Sequence, residues 1–243
     1  MKIPKARLDQ LLVDRGLAPS REKARALVLA GAVTVDGRKA AKPGHSVPLE
    51  AVLDVASGPP YVSRGGQKLA AALDHFRIDV TGRVCVDIGS SAGGFTDCLL
   101  QRGALRVHAV DVGSGQLDWK LRQDERVVVR EGINARHLAP AEIGETCQFA
   151  SCDVSFISLT LIVPVIPPLL DERCEMVLLV KPQFEVGKDQ VGKGGIVRDS
   201  ALHQAACAKI RGAAEQLGLR TDIIESPVLG AEGNREFLLY ARH

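Results

Sequence analysis

At 243 residues, 46% of them hydrophobic and 25% charged, the chain has an ordinary soluble composition and is long enough for one large domain plus a small one. Its net charge of +2 is uneven: residues 1–58 hold ten Lys/Arg against six Asp/Glu, and the remaining 185 hold 21 against 23, so the positive surplus gathers where a contact to phosphates would need it. Met1 to Gln10 is charged, the most apolar run (Leu159 to Leu170) has 12 residues with three prolines, and six cysteines form no C-x-x-C, which argues against a signal peptide, a membrane span, a disulfide framework and a zinc site. The expected location is therefore a reducing cytoplasm, with no membrane and no metal partner.

The N-terminal piece reads as two short helices and a hairpin. Arg7 to Val13 repeats apolar residues at helical spacing and stops at Gly16. A second helix opens at Ser20, an N-cap with Glu22 in its first turn, and ends at Gly31. Val33-Thr34-Val35, the turn signal Asp36-Gly37 and Arg38-Lys39 predict a hairpin, and Val52 to Val55 closes the unit. Ser57-Gly58-Pro59-Pro60 is a stiff connection. The domains are accordingly set at 1–58 and 67–243, with 59–66 as linker, and a helix opens after Tyr61 and runs to about Phe76.

The run Arg83 to Ile88 is short, β-branched and apolar, as for a strand buried inside a parallel sheet. It ends in Asp87 and leads into Gly89-Ser90-Ser91-Ala92-Gly93-Gly94-Phe95, after which helical sequence resumes. A glycine-rich turn between strand and helix is where a doubly wound sheet holds a nucleotide-type cofactor. The spacing is G-x-x-x-G-G and fails the dinucleotide pattern at its second glycine. Asp111 ends the next apolar run, Leu105 to Val110, where a carboxylate can accept both hydroxyls of a ribose. An acidic strand end without a pyrophosphate turn suits S-adenosylmethionine; a nicotinamide oxidoreductase is the remaining enzyme alternative. The predicted cofactor contacts are Asp87, Gly89, Ser90, Ser91, Gly93, Gly94, Phe95, Asp111 and Val112.

Four charged residues stand at strand ends or beside the cofactor strand. Lys68 lies in the preceding helix, Asp153 follows Phe149 to Cys152, Lys181 follows Met176 to Val180, and Glu236 heads Phe237 to Tyr240. Charges at the ends of buried strands cost desolvation unless paired. A ribose hydroxyl needs a base or a positive field as its proton leaves, and burial beside a second ammonium lowers a lysine pKa. Lys181 is the expected base, Asp153 its orienter, and Lys68 with Glu236 the substrate-positioning pair. The alternative is a salt-bridge network that only closes the sheet rim. Lys188 to Gly195 forms a Gly/Lys loop, either a lid over RNA or a plain surface loop.

These phrases carry a resemblance. Ser20-Arg21-Glu22-x-Ala24 with Gly31-x-Val33-x-Val35-x-Gly37 resembles the small αL RNA-binding module of ribosomal and RNA-modifying proteins. That resemblance makes Arg7, Arg21, Lys23, Arg25, Arg38 and Lys39 contact candidates, joined by Arg64, unless they form only a solvated face. The four strand-end charges look like the Lys-Asp-Lys-Glu tetrad of the FtsJ-type RNA ribose 2′-O-methyltransferases. With Ser63-Arg64-Gly65-Gly66-x-Lys68, Gly94-Phe95-Thr96, Asp111-Val112-Gly113-x-Gly115, Asp153-Val154-Ser155-Phe156 and Lys181-Pro182-Gln183-Phe184-Glu185, the whole chain resembles the TlyA family. The resemblance implies a Rossmann-like α/β fold with a seven-stranded methyltransferase sheet, S-adenosylmethionine as donor, and cytidine 2′-O-methylation of ribosomal RNA or a ribosomal subunit. It also sets Asn134 beside the adenosine. The chain ends at Arg242-His243 without the extra residues of members that act on both subunits, which points to large-subunit RNA. The oligomeric state stays open. A membrane-active haemolysin, a label this family has attracted, and an RNA-binding protein on an inactive scaffold are the competing classes.

Overall fold

The computed structural model of the chain describes residues 4–56, 59–230 and 232–243. It divides into two compact units, Met1–Pro60 and Tyr61–His243. In the first, strand β1 (Lys5–Arg7) leads into helices α1 (Leu8–Asp14) and α2 (Arg21–Leu29), followed by β2 (Val33–Val35), β3 (Arg38–Lys39), β4 (Ser46–Pro48) and β5 (Leu53–Val55). Ser20 caps α2 by accepting from the Lys23 N–H. Asp36 and Gly37 both take positive φ, 50° and 76°, which lets Val35 face Arg38 across a two-residue turn. Arg7, expected inside the first helix, instead ends β1, because Lys5–Arg7 pairs antiparallel with Ser46–Pro48 and satisfies its backbone there. The core of this unit is Leu8, Leu11, Leu12, Ala24, Val28 and Val33.

The second unit runs α3 (Gly65–Phe76), β6 (Val84–Ile88), α4 (Gly94–Gln101), β7 (Arg106–Asp111), α5 (Trp119–Arg122), β8 (Val127–Glu131), α6 (Pro140–Ile143), β9 (Phe149–Cys152), β10 (Met176–Val180), α7 (Pro182–Glu185), α8 (Ser200–Glu215), β11 (Arg220–Glu225) and β12 (Phe237–Arg242). Its sheet has seven strands in the order β11-β12-β10-β9-β6-β7-β8. Pairing is parallel from β10 to β8, while β12 is antiparallel to both neighbours. In β10, Val177 and Leu179 join the core on one face of the sheet and Leu178 and Val180 join the other. A strand covered on both faces has no polar side, which explains its unbroken apolar run.

One expectation changes. Tyr61 to Gly66, expected as linker, belongs to the second unit: the Val62 N–H donates to Asp97 at 2.8 Å, and a Cβ on Gly66 would lie 2.2 Å from the Tyr61 side chain. The apolar stretch from Leu159 folds as three successive single 3-10 turns, at Leu159–Leu161, Val163–Val165 and Pro167–Leu169. Pro164 and Pro167 fit the starts of such turns, and Ile162, Val163 and Ile166 are fully buried.

Candidate active site

The Gly89–Phe95 loop leaves the carboxyl end of β6 and stands over the strand end of β9. Gly89 takes φ 83°, and a Cβ there would sit 2.5 Å from the Asp153 carbonyl oxygen, so only glycine lets the two strand ends approach. Gly93 takes φ 94° where a Cβ would strike Leu121 at 2.2 Å. The Ser91 N–H donates to Asp111 Oδ2 at 2.8 Å and the Gly113 N–H to Oδ1 at 2.7 Å. The Asp111 carboxylate thus ties the glycine loop to the end of β7, with lone pairs remaining for a ligand.

Two cavities, each of about 550 Å³, meet at this rim and share Gly89, Ser91, Asp153, Ser155 and Phe156. One is lined by Asp111, Val112, Asn134, Ile133 and Ile157, a polar end with apolar walls suited to a nucleoside. Asn134 caps the turn at Ala135–His137 through the Arg136 N–H at 3.1 Å. The other cavity takes in Ser90, Gly94, Phe95, Arg64, Lys68, Lys181 and Glu236. Of the expected cofactor residues, Gly93 and Asp87 line neither. Gly93 shapes the turn. Asp87 is fully buried and accepts from Thr96 Oγ1 at 2.7 Å and Ser151 Oγ at 2.9 Å, so it fastens the loop from below. Burial pushes its carboxyl up to about 7, against the pull of the two hydroxyls.

The four charges meet as two ion pairs. Lys68 Nζ lies 2.5 Å from Glu236 Oε2, and Lys181 Nζ lies 2.7 Å from Asp153 Oδ1 and donates to Ser155 Oγ at 2.8 Å. Glu236 reaches this rim from the amino end of its strand because β12 runs antiparallel to β10. All three lysine and carboxylate partners deepest in the rim, Lys68, Glu236 and Lys181, keep at most 12% of their side chains exposed. At such burial each ammonium needs its carboxylate. The pattern can hold a hydroxyl, orient it and exchange its proton.

Sequence reasoning missed Phe156. It takes φ 64°, a strained value for an aromatic residue, and remains 91% exposed with its ring 5.2 Å from that of Phe184. Phe184 in turn lies under Lys181 Nζ at 6.0 Å. No local sequence signal marks a phenylalanine for positive φ. Asn234 was missed too: it lines the Lys181 cavity and, being buried, accepts from the Val197 N–H and donates to the Gly195 carbonyl. It thereby holds one end of the Gly/Lys loop, whose Val191 and Gly195 line the same cavity.

In the first unit, Lys23, Arg25, Arg38 and Lys39 are exposed and make no ion pair among the described residues. Arg7 and Arg21 differ, because both bind the fully buried Asp9 carboxylate, at 2.8 and 3.3 Å. The Arg7 hydrogen bonds hold that carboxyl down to about 2, outweighing burial. Their guanidinium groups remain more than half exposed, with donors left over.

A seven-stranded sheet with one antiparallel strand, a glycine loop at the end of β6 and an acidic end on its neighbour β7 defines a nucleotide-cofactor enzyme of the methyltransferase type. Residues 61–243 match the FtsJ-like methyltransferase model and residues 6–53 the S4 domain. The TlyA 16S/23S rRNA (cytidine-2′-O)-methyltransferase of Mycobacterium tuberculosis is 46% identical over 98% of this chain and 90% of its own. YqxC of Bacillus subtilis, named as a candidate rRNA methyltransferase, is 49% identical over 99% of this chain and 86% of its own. A solved structure of a candidate hemolysin from Streptococcus thermophilus superposes with a TM-score of 0.74 at 43% identity, covering 99% of this chain and 89% of the other. The chain belongs to the TlyA family of S4-domain, FtsJ-like methyltransferases.

Proposed function

We propose that this enzyme transfers a methyl group to the 2′-oxygen of a cytidine ribose in ribosomal RNA, with Lys181 as the group that takes the proton. The observation that carries the reading is the Lys181–Asp153–Ser155 cluster, which lines one cavity while Asp153 and Ser155 also wall the nucleoside-shaped one. That second cavity fits S-adenosylmethionine: Asp111 and Asn134 for the ribose and adenine, apolar walls for the purine, and glycines where a Cβ would obstruct the loop. When bound, S-adenosylmethionine supplies an electrophilic methyl group on a sulfonium.

The chain's own residues do the rest. In its deprotonated form Lys181 Nζ takes the 2′-hydroxyl proton as the oxygen gains the methyl group, becoming an ammonium that Asp153, 2.7 Å away, orients and stabilises. Lys68, held by Glu236 in the same cavity, positions the ribose and its flanking phosphate. The exposed Phe156 ring offers a face on which the target base stacks once it leaves its helix. Lys23, Arg25, Arg38 and Lys39, with Arg7 and Arg21 braced by Asp9, give the first unit a basic surface for RNA phosphates and shape. Arg64 and the Gly/Lys loop extend the same role at the cavity mouth. Large-subunit RNA is the first substrate to test, since 23S stands in the names of both the M. tuberculosis relative and a Campylobacter jejuni one, the latter named for 23S alone.

The test is Lys181→Ala assayed with labelled S-adenosylmethionine and both ribosomal RNAs. The expected variant binds the donor as the parent does and transfers about 10²- to 10⁴-fold more slowly; unchanged transfer would reject Lys181 as the base. A membrane-active role has the name of the S. thermophilus neighbour in its favour. Among the described residues no helix is long and apolar enough to cross a membrane, and leakage from anionic vesicles at submicromolar protein would be needed to support that role.

A further inference from the structure

Two loops carry the reactive groups of the Lys181 cavity: Asp153 to Ser158 after β9, and Lys181 to Glu185 after β10. The β9–β10 ladder ends at Leu178 and Cys152, so the strands alone do not fix the two loops against each other. Glu185 spans the gap. Its side chain is 1% exposed. Its Oε2 accepts from Ser158 Oγ at 2.5 Å, its Oε1 accepts from the Leu159 N–H at 2.7 Å, and Lys209 Nζ of α8 lies 3.1 Å from Oε2. The short helix returns to Lys181 through the Phe184 N–H, which donates to the Lys181 carbonyl at 2.9 Å. A closed ring results: Lys181, α7, Glu185, Ser158 and Leu159, then back along the loop to Asp153 and Lys181.

We infer that Glu185 is a positioning residue for methyl transfer, setting the Lys181–Asp153 contact and the Phe156–Phe184 spacing although it lines neither cavity. The inference rests on the reading of Lys181 as proton acceptor. A carboxylate suits the task because both of its oxygens accept. Glutamine keeps both loop attachments when its NH2 faces Ser158, whose Oγ can turn to accept, and then loses only the Lys209 contact. Methionine, of similar length, offers no oxygen to Ser158 Oγ or to the Leu159 N–H and removes both attachments. A displacement of about 1 Å at a reacting group costs roughly 10²-fold in rate.

The experiment compares Glu185→Met, Lys209→Met and Lys181→Ala in single-turnover methyl transfer at saturating S-adenosylmethionine and unmodified ribosomal subunits, with donor affinity by calorimetry and melting temperature alongside. Glu185→Met should transfer about 10- to 100-fold more slowly while donor affinity stays within about threefold. Lys209→Met removes the ion pair and the bond to the Glu185 carbonyl yet keeps the Ser158 and Leu159 bonds, so it should lose melting temperature but keep its rate within about twofold. If Glu185→Met does not fold, Ser158→Ala cuts one arm of the ring and should slow transfer about three- to tenfold. Unchanged transfer in whichever of these loop variants folds, or rate losses that follow melting temperature alike in Glu185→Met and Lys209→Met, would overturn the positioning role. An active Lys181→Ala would remove the base assignment and this inference together; an inactive Lys181→Ala beside a fully active Glu185→Met would remove this inference alone.

Discussion

Replacing Asp87 by asparagine should make the protein less sensitive to rising pH. Asp87 has no exposed surface, and burial raises its carboxyl to about 7 from an ordinary value of 3.8. The folded state thus favours the protonated form. The associated stability is fully present below the unfolded value of 3.8 and is lost as pH climbs through 7. The whole span corresponds to about 4 kcal/mol, and the part lost between pH 5 and pH 8 to about 2 to 3 kcal/mol. Asparagine does not titrate, and the Thr96 and Ser151 hydroxyls can turn to accept from its NH2. Urea melts of both proteins at pH 5 and pH 8 isolate the effect, because every other titrating group cancels in the comparison. Relative to the parent, Asp87→Asn should gain about 2 to 3 kcal/mol on going from pH 5 to pH 8, roughly 5 to 10 °C in melting temperature. Parallel changes in the two proteins would refute the assignment of an uncompensated buried carboxylate beneath the glycine loop.

Gly89→Ala forces a Cβ to 2.5 Å from the Asp153 carbonyl at a φ of 83°; a loss of about 1–3 kcal/mol in folding stability and at least a tenfold weaker affinity for S-adenosylmethionine are expected by chemical melts and calorimetry. Phe156→Gly relieves the strained φ of 64° while deleting the exposed ring, so stability should stay within about 1 kcal/mol as kcat/KM for RNA falls about 10- to 100-fold. Lys181→Arg keeps a positive charge that cannot be shed; if the residue acts as a base, this variant should be as inactive as Lys181→Ala, whereas substantial retained activity would mean that the charge alone suffices.

Strands β6 and β10 were legible because their apolar runs are almost unbroken, and the rim charges because a lysine or aspartate ending such a run has few reasons to be there. Their grouping was legible too, Lys181 with Asp153 and Lys68 with Glu236, the two ion pairs that form. What brings Glu236 to the rim was not: β12 enters the sheet antiparallel to β10, a choice the local sequence does not record. Asp87 stands out in the sequence because it precedes the glycines; that it accepts from Thr96 and Ser151 beneath them is set by the fold and has no local signal. Arg7 read as helical because the partner of its strand lies some forty residues further on, at Ser46–Pro48. Phe156 and Glu185 stayed hidden for a related reason. Their roles come from contacts between loops that follow different strands, with no periodicity or spacing to betray them.

The most direct measurement incubates the purified protein with labelled S-adenosylmethionine and ribosomal RNA, digests the RNA to nucleosides and identifies the methylated one by mass spectrometry. The label should fall on 2′-O-methylcytidine and be lost in Lys181→Ala protein that still binds the donor. Label on a base, or equal labelling by the Lys181→Ala protein, would contradict ribose methylation with Lys181 as the proton acceptor.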